Sequence, residues 1–219
     1  MKRSNVSMSL WVRVFALTLM VTLVMGGTGV TAANPTENLQ SLVGEVLTIL
    51  NNPAYRAPAQ RYKAVDLVEK VADRYFDFGE MGKSSLGDTW NDLNQTQQDE
   101  FVKIFTAVLK NSYSRALFAL AKAKVFYLPE IRQADHIEVP VVIRPPNDKV
   151  PLIFRMRKEA QAWRIYDVVI QEVSLVETNQ RQFARIIQES SFHNLLKVLK
   201  TKIRQAQEIS KQDQTPKED

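Results

Sequence analysis

The sequence predicts an α+β domain: helices gathered on the apolar face of a curved four-stranded antiparallel sheet. Three observations predict it. Apolar residues recur at helical spacing between residues 39 and 120, alternate at period two in short runs between residues 125 and 170, and return to helical spacing after Ser174. The turns between the alternating runs are short, which makes the strands antiparallel, because parallel neighbours need long crossovers.

The chain begins with a stretch of a different kind. Lys2, Arg3 and Arg13 accompany an apolar run over residues 14–25, and Val30-Thr31-Ala32-Ala33 supplies small residues for cleavage after Ala32 or Ala33. That is the layout of a secretory signal peptide over residues 1–33, and the apolar run is short for a membrane span. Setting its three basic residues aside lowers the formal net charge from +5 to +2, so a nucleic-acid partner is not expected. The chain has no cysteine, hence no lipoprotein anchor, disulfide or thiol chemistry. Folding then rests on core burial, which residues 34–209 are numerous enough to supply.

Asn34-Pro35-Thr36-Glu37 carries helix-start signals, and Leu39, Leu42, Val43, Val46, Ile49 and Leu50 form an apolar stripe that Asn51-Asn52-Pro53 stops. A second helix follows Pro58, with Tyr62, Val65, Val68 and Val71 turned inward. Between residues 75 and 93, large apolar side chains are separated by Gly79, Gly82 and Gly87, which reads as short helical turns with glycine hinges that plug the core or rim a pocket. The long helix expected over residues 96–123 keeps i, i+3, i+4 spacing through Phe101, Phe105, Leu109 and Tyr113. At 1.5 Å per residue it spans about 40 Å and is expected to be the main helix behind the sheet.

Four strands are expected, over residues 125–128, 135–144, 150–157 and 162–170. In the second, Ile137, Val139, Val141 and Ile143 face one way and His136, Glu138 and Arg144 the other. In the third, Val150, Leu152, Phe154 and Met156 oppose Arg155 and Arg157, so the sheet should have one greasy face and one wet face. Pro140 and Pro151 point to bulges or edge positions. Two helices follow, over residues 174–188 and from residue 192 to about residue 208. A polar tail over residues 210–219 is expected to be disordered.

The stretch WRIYDVVIQEVSLVETNQRQF, residues 163–183, ties these parts together. A strand passes into a helix at Ser174, and Glu177 stands three residues on, at capping-box spacing. Val176, Phe183, Ile186, Ile187 and Leu195 then share one helical face. Here W-x-I-Y-D-V, V-S-L-V and T-x-Q-x-x-F, in that order, resemble the MlaC family of periplasmic phospholipid carriers, also known as toluene-tolerance ABC auxiliary proteins. Tyr75-Phe76-Asp77-Phe78 and Leu86-Gly87-Asp88-Thr89-Trp90 extend the resemblance, which covers residues 62–202. Two departures stand out: Glu172 where the family commonly has Gly before V-S-L, and Asn179-Gln180 where many members have Tyr-Arg.

The resemblance implies a deep apolar cavity between sheet and helices, a phospholipid as cargo with no cofactor, and a periplasmic location. It also implies exchange of lipid with an outer-membrane lipoprotein complex and an inner-membrane ABC transporter bearing an MCE-type ring. On that reading the cavity wall comprises Phe105, Leu109, Tyr113, Val141, Ile143, Leu152, Phe154, Trp163, Ile165, Phe183 and Ile187, chosen by facing. Lys124, Arg144, Arg155 and Arg157 stand as candidates to meet a lipid phosphate or acidic partners.

Catalytic constellations are scarce. Only His136 and His193 exist, no metalloprotease, nucleophile-elbow or P-loop pattern occurs, and no glycine follows Gly87. No enzyme activity and no metal are therefore expected. His136 is expected on the solvated strand face, and Tyr166 or Asp167 at the strand-to-helix junction. Three alternatives stay open: a hopanoid or other isoprenoid-lipid carrier, a structural envelope adaptor with a closed core, and an exported cone-fold isomerase using Asp167 inside the cavity.

Overall fold

In the computed structural model the described residues are 34–145, 149–160 and 162–214, excluding the side chains of residues 113–116, 119 and 209–214. The expected leader over residues 1–33 and the end of the tail lie outside them. Asn34 caps the first helix, α1 (Pro35–Asn51), in a reciprocal box: its side chain accepts from the Glu37 N–H at 2.8 Å while the Glu37 carboxylate accepts from the Asn34 N–H. α2 (Arg61–Tyr75) follows two short turns built on Pro53 and Pro58. Tyr75 donates to Glu45 at 2.7 Å and Arg74 pairs with the same carboxylate, so the two helices are joined by polar contacts that hold the Glu45 carboxyl below its usual range.

The segment after Tyr75 is more regular than its glycines suggest. α3 (Phe78–Leu86) is one nine-residue helix with Gly79 and Gly82 inside it; the expected hinge falls at Gly87, where a short 3-10 turn over Gly87–Asp92 begins. At Gly82 a Cβ would meet the rings of Phe101 and Phe105 at 3.4–3.5 Å, ordinary contact, so the position lies at the helix interface without requiring glycine. Gly87 is the position that needs glycine for its backbone. Its φ of +56° is left-handed, and an added Cβ would meet the Gln180 amide at 2.7 Å.

α4 (Gln95–Leu120) opens on a second reciprocal box between Asn94 and Gln97. The sheet follows: β1 (Lys124–Tyr127), β2 (Ile131–Arg132), β3 (Ile137–Arg144), β4 (Val150–Glu159), β5 (Ala162–Ile170) and β6 (Val173–Ser174). The order is β1-β3-β4-β5-β6 with β2 also on β3, antiparallel throughout. The four expected strands are present, extended by two of two residues each. α5 (Leu175–Glu189) and α6 (Phe192–Gln214) complete the chain. α6 continues past Ser210, where a disordered tail was expected, because Lys211 to Gln214 contain no helix breaker.

The prolines do not form bulges. Pro140 accepts from the Leu128 N–H at 2.9 Å but has no N–H to return, so β1 stops pairing there. Pro151 likewise accepts from the Gln171 N–H at 3.1 Å and ends the β4–β5 ladder. The bulge lies on β5: Arg155 pairs with Asp167 and Met156 with Ile165, leaving Tyr166 as the extra residue.

β5 and β6 meet through Gln171 and Glu172, whose φ values of 48° and 68° define a type I′ hairpin turn. A left-handed residue 172 explains why glycine suits this position. Glu172→Gly is expected to stabilise the fold by up to about 1 kcal/mol, seen as a higher urea midpoint at unchanged slope.

Two apolar clusters result. The inner face of the sheet packs on α1 and α2, with Leu39, Leu42 and Val71 against Val139, Met156 and Ile165. The other cluster is purely helical, between α3, α4, α5 and α6. The long helix α4 is therefore not the main helix behind the sheet. Its apolar face is spent on Phe183 of α5 and Leu195 and Leu199 of α6, so it forms a second layer.

The open end of the inner face

The inner face of the sheet is fully buried at Val139, Met156 and Ile165, although Trp163, further along the same face, is only partly buried. The edge of β5 is covered there by the α2–α3 linker, where Phe76 bridges Ile165 and the Asp77 N–H donates to the Ile165 carbonyl at 2.8 Å. At the other end lie Val125, Tyr127, Ile143, Val150 and Ile170. All point to the same face but stay only partly buried, together with Val46 and Ile49 at the end of α1. Partial exposure on a face turned toward helices means that the helices do not close over it. Burial pushes the Tyr127 phenol above its usual range.

Six of the residues expected to line a cavity share this face: Val141, Ile143, Leu152, Phe154, Trp163 and Ile165. Phe105, Leu109, Phe183 and Ile187 do not join them; they belong to the helical cluster. There Phe183 meets Phe101 and Phe105 edge-on at 5.9 and 6.2 Å, with no accessible space beside the rings. The expectation that α4 backs the sheet put them on the wrong side of it. Tyr113 lies on α4, and its side chain is outside the described ones. Val125, Tyr127, Val150 and Ile170 were missed as lining residues; alternation along β1 and β4 already placed the first three on the inner face, whereas Ile170 reaches it only through the extra residue at Tyr166.

Asp167 is not on the inner face. Strict alternation from Trp163 and Ile165 would put it there, but the extra residue Tyr166 reverses the phase, and Asp167 emerges opposite Arg155 on the outer face. It is 2 % exposed. Its Oδ2 accepts from Ser174 Oγ at 2.7 Å and from Arg155 Nη1 at 3.1 Å, and its Oδ1 from the Val176 N–H at 3.1 Å. Ser174 Oγ in turn accepts from the Glu177 N–H at 3.0 Å, capping α5. The Glu177 carboxylate does not close a box; it receives Arg155 instead. Asp167 thus fastens β5 to α5, and a proton-transfer role within the cavity loses its residue.

Two of the four candidate cations are committed elsewhere. Arg155 binds Glu138, Asp167 and Glu177, while Arg157 binds Glu80 and Asp135 and lies 4.3 Å from the Tyr166 ring. His136 joins this outer-face network through Asp135 and is largely buried, not solvated. Lys124 and Arg144 face each other across β1 and β3 at the open end, and neither has a carboxylate partner among the described residues. A separate surface groove of about 570 Å³ lies between α4 and α6. Its walls carry Glu100, Lys197, Lys200 and Arg204 beside Leu196 and Ile203, so charged and apolar surface are mixed there. Among the described residues no group of three or more His, Asp or Glu could hold a metal ion.

The class that emerges is a curved antiparallel sheet whose apolar inner face, lined by helices on one side, is left partly uncovered toward the end carrying Val125, Ile143 and Val150. The chain belongs to the MlaC protein family, whose profile matches residues 40–201. This bears out the resemblance carried by W-x-I-Y-D-V, V-S-L-V and T-x-Q-x-x-F. The intermembrane phospholipid transport system binding protein MlaC of Haemophilus influenzae is 25% identical over 121 residues. That match covers 52% of this chain and 56% of the Haemophilus protein, so the chain spans little more than half of its length. Among solved structures, the phospholipid-binding protein from Ralstonia solanacearum, determined in complex with a phospholipid, superposes with a TM-score of 0.72 at 25% identity. The superposition covers 80% of this chain and 99% of the other.

Proposed function

We propose that this chain is a periplasmic phospholipid carrier, exported by a cleaved leader over residues 1–33. It would exchange lipid between an outer-membrane lipoprotein complex and an inner-membrane ABC transporter bearing an MCE-type ring, and so maintain outer-membrane lipid asymmetry. The observation that carries the reading is the apolar inner face partly uncovered toward the end carrying Val125, Ile143 and Val150, in a fold shared with a protein solved with phospholipid bound.

The physical task fits. Taking a two-tailed lipid through water exposes roughly 30 methylenes at about 0.8 kcal/mol each, on the order of 20 kcal/mol, so unaided transfer is slow. A carrier replaces the bilayer with an apolar wall and makes or breaks no bond. Acyl chains would lie along Val141, Ile143, Leu152 and Phe154 and leave past Val125, Tyr127, Val150 and Ile170.

The test is native mass spectrometry of the purified chain from residue 34 onward, with extraction of whatever it carries. A stoichiometric phospholipid is expected. Ile143→Asp, which puts a carboxylate at the partly exposed mouth, should lower occupancy about tenfold or more, because a charge must be desolvated against the tails. A hopanoid in the extract would replace phospholipid as the cargo. A protein that stays empty after incubation with phospholipid vesicles would overturn the carrier reading.

A further inference from the structure

The outer face of the sheet is not uniformly wet. Its register resolves into four rows across the strands. Lys124 pairs with Arg144; Phe126 pairs with Val142 and Val142 with Pro151; Pro140 pairs with Ile153, beside Leu128; Ile131 pairs with Glu138 and Glu138 with Arg155. The last row enters the polar network that ends at Asp167. The two middle rows are apolar across β1, β3 and β4, and no described helix covers them there: Phe126 is 43% and Leu128 46% exposed, and Val142, Pro140, Ile153 and Pro151 are all at least partly exposed. Ile131, at the edge of the patch, is 45% exposed. A contiguous apolar patch of this kind marks a surface that meets another surface.

Charge narrows what that surface is. The row bounding the patch at the open end is wholly cationic, and the Arg144 guanidinium lies 4.8 Å from the Phe126 ring. The nearest carboxylate among the rows, Glu138, is bound by Arg155 at 3.1 Å. Apolar and aromatic side chains bordered by cations that meet no carboxylate among the described residues match a bilayer interface, where anionic headgroups lie above acyl chains. The cationic row also stands at the same end of the sheet as the mouth of the inner face.

We propose that the outer face of β1, β3 and β4 docks directly on an anionic phospholipid bilayer surface, with Phe126, Leu128 and Ile131 entering the headgroup layer and Lys124 and Arg144 meeting lipid phosphates. Docking in this way brings the mouth of the cavity to the membrane. The purpose of the contact rests on the carrier reading; the contact itself does not.

The test is co-sedimentation of the purified chain, from residue 34 onward, with vesicles of phosphatidylcholine alone or mixed with phosphatidylglycerol. Binding is expected to the mixed vesicles, weakening as salt rises. F126S/L128S should reduce it about tenfold on the burial lost, and K124E/R144E should abolish the preference for phosphatidylglycerol. All four positions are exposed strand or rim sites, and circular dichroism checks that both variants remain folded. Absence of binding to either vesicle, as a purely protein-docking surface would give, overturns the proposal, as do variants that bind like the parent. Lipid content by native mass spectrometry, run on the same samples, separates the two readings. An empty chain that still binds vesicles removes carriage and leaves docking, whereas a loaded chain that binds none removes docking alone.

Discussion

Asp167→Ala is expected to destabilise the fold by about 3–5 kcal/mol, the cost of breaking a buried ion pair by removing one partner. Three donors aim at this carboxylate: the Ser174 hydroxyl, the Val176 N–H and the Arg155 guanidinium. Removal orphans the Val176 N–H at the first turn of α5 and releases Ser174 from its orientation as the cap. Arg155 keeps Glu138 and Glu177, which softens the loss on that side. Asp167→Asn retains an acceptor for the helix N-terminus and should cost clearly less. Urea unfolding of the two variants measures the difference as a shift in midpoint. Both should carry lipid like the parent while folded. Loss of cargo from a folded Asp167→Asn protein would contradict the placement of this residue on the outer face.

Phe183→Ala should cost about 3–5 kcal/mol as well, for a different reason. The ring is enclosed by Phe101 and Phe105 and by the α6 leucines, so truncation leaves a cavity that helices tied at both ends cannot fill by shifting. The thermal midpoint should fall accordingly, and lipid occupancy measured well below that midpoint should not change. An emptied but folded protein would instead place Phe183 on the cavity wall. The two variants probe opposite ends of one element, since α5 is held at its start by Asp167 and along its length by Phe183.

Much of this was legible in the sequence, and the rest was not for identifiable reasons. The strand alternation at Ile137, Val139, Val141 and Ile143 and at Leu152, Phe154 and Met156 carries its facing in the residues themselves. With Trp163 and Ile165 of the next strand, it put six candidate wall residues on one surface. The caps at Asn34 and Ser174 were readable because capping is local chemistry. Facing on α4 was equally readable; what faced it was not. An amphipathic stripe such as Phe101, Phe105 and Leu109 says that a helix buries one side, and a sheet and a pair of helices satisfy that demand equally well. Asp167 failed differently. One extra residue, Tyr166, reverses the inside-outside phase of everything after it, and a bulge leaves no mark in period-two counting.

The sequence by itself determined the α+β class, the strands, the family and the scarcity of catalytic groups, because these follow from local periodicity and from residue types in order. Only the tertiary structure decided that α1 and α2 line the sheet, that Phe105 and Phe183 form a separate helical core, and that Phe126, Leu128, Val142 and Ile153 make an apolar patch on the face expected to be wet. Each of those depends on which surfaces meet across long sequence separations, and burial of apolar area drives such contacts without specifying the partner.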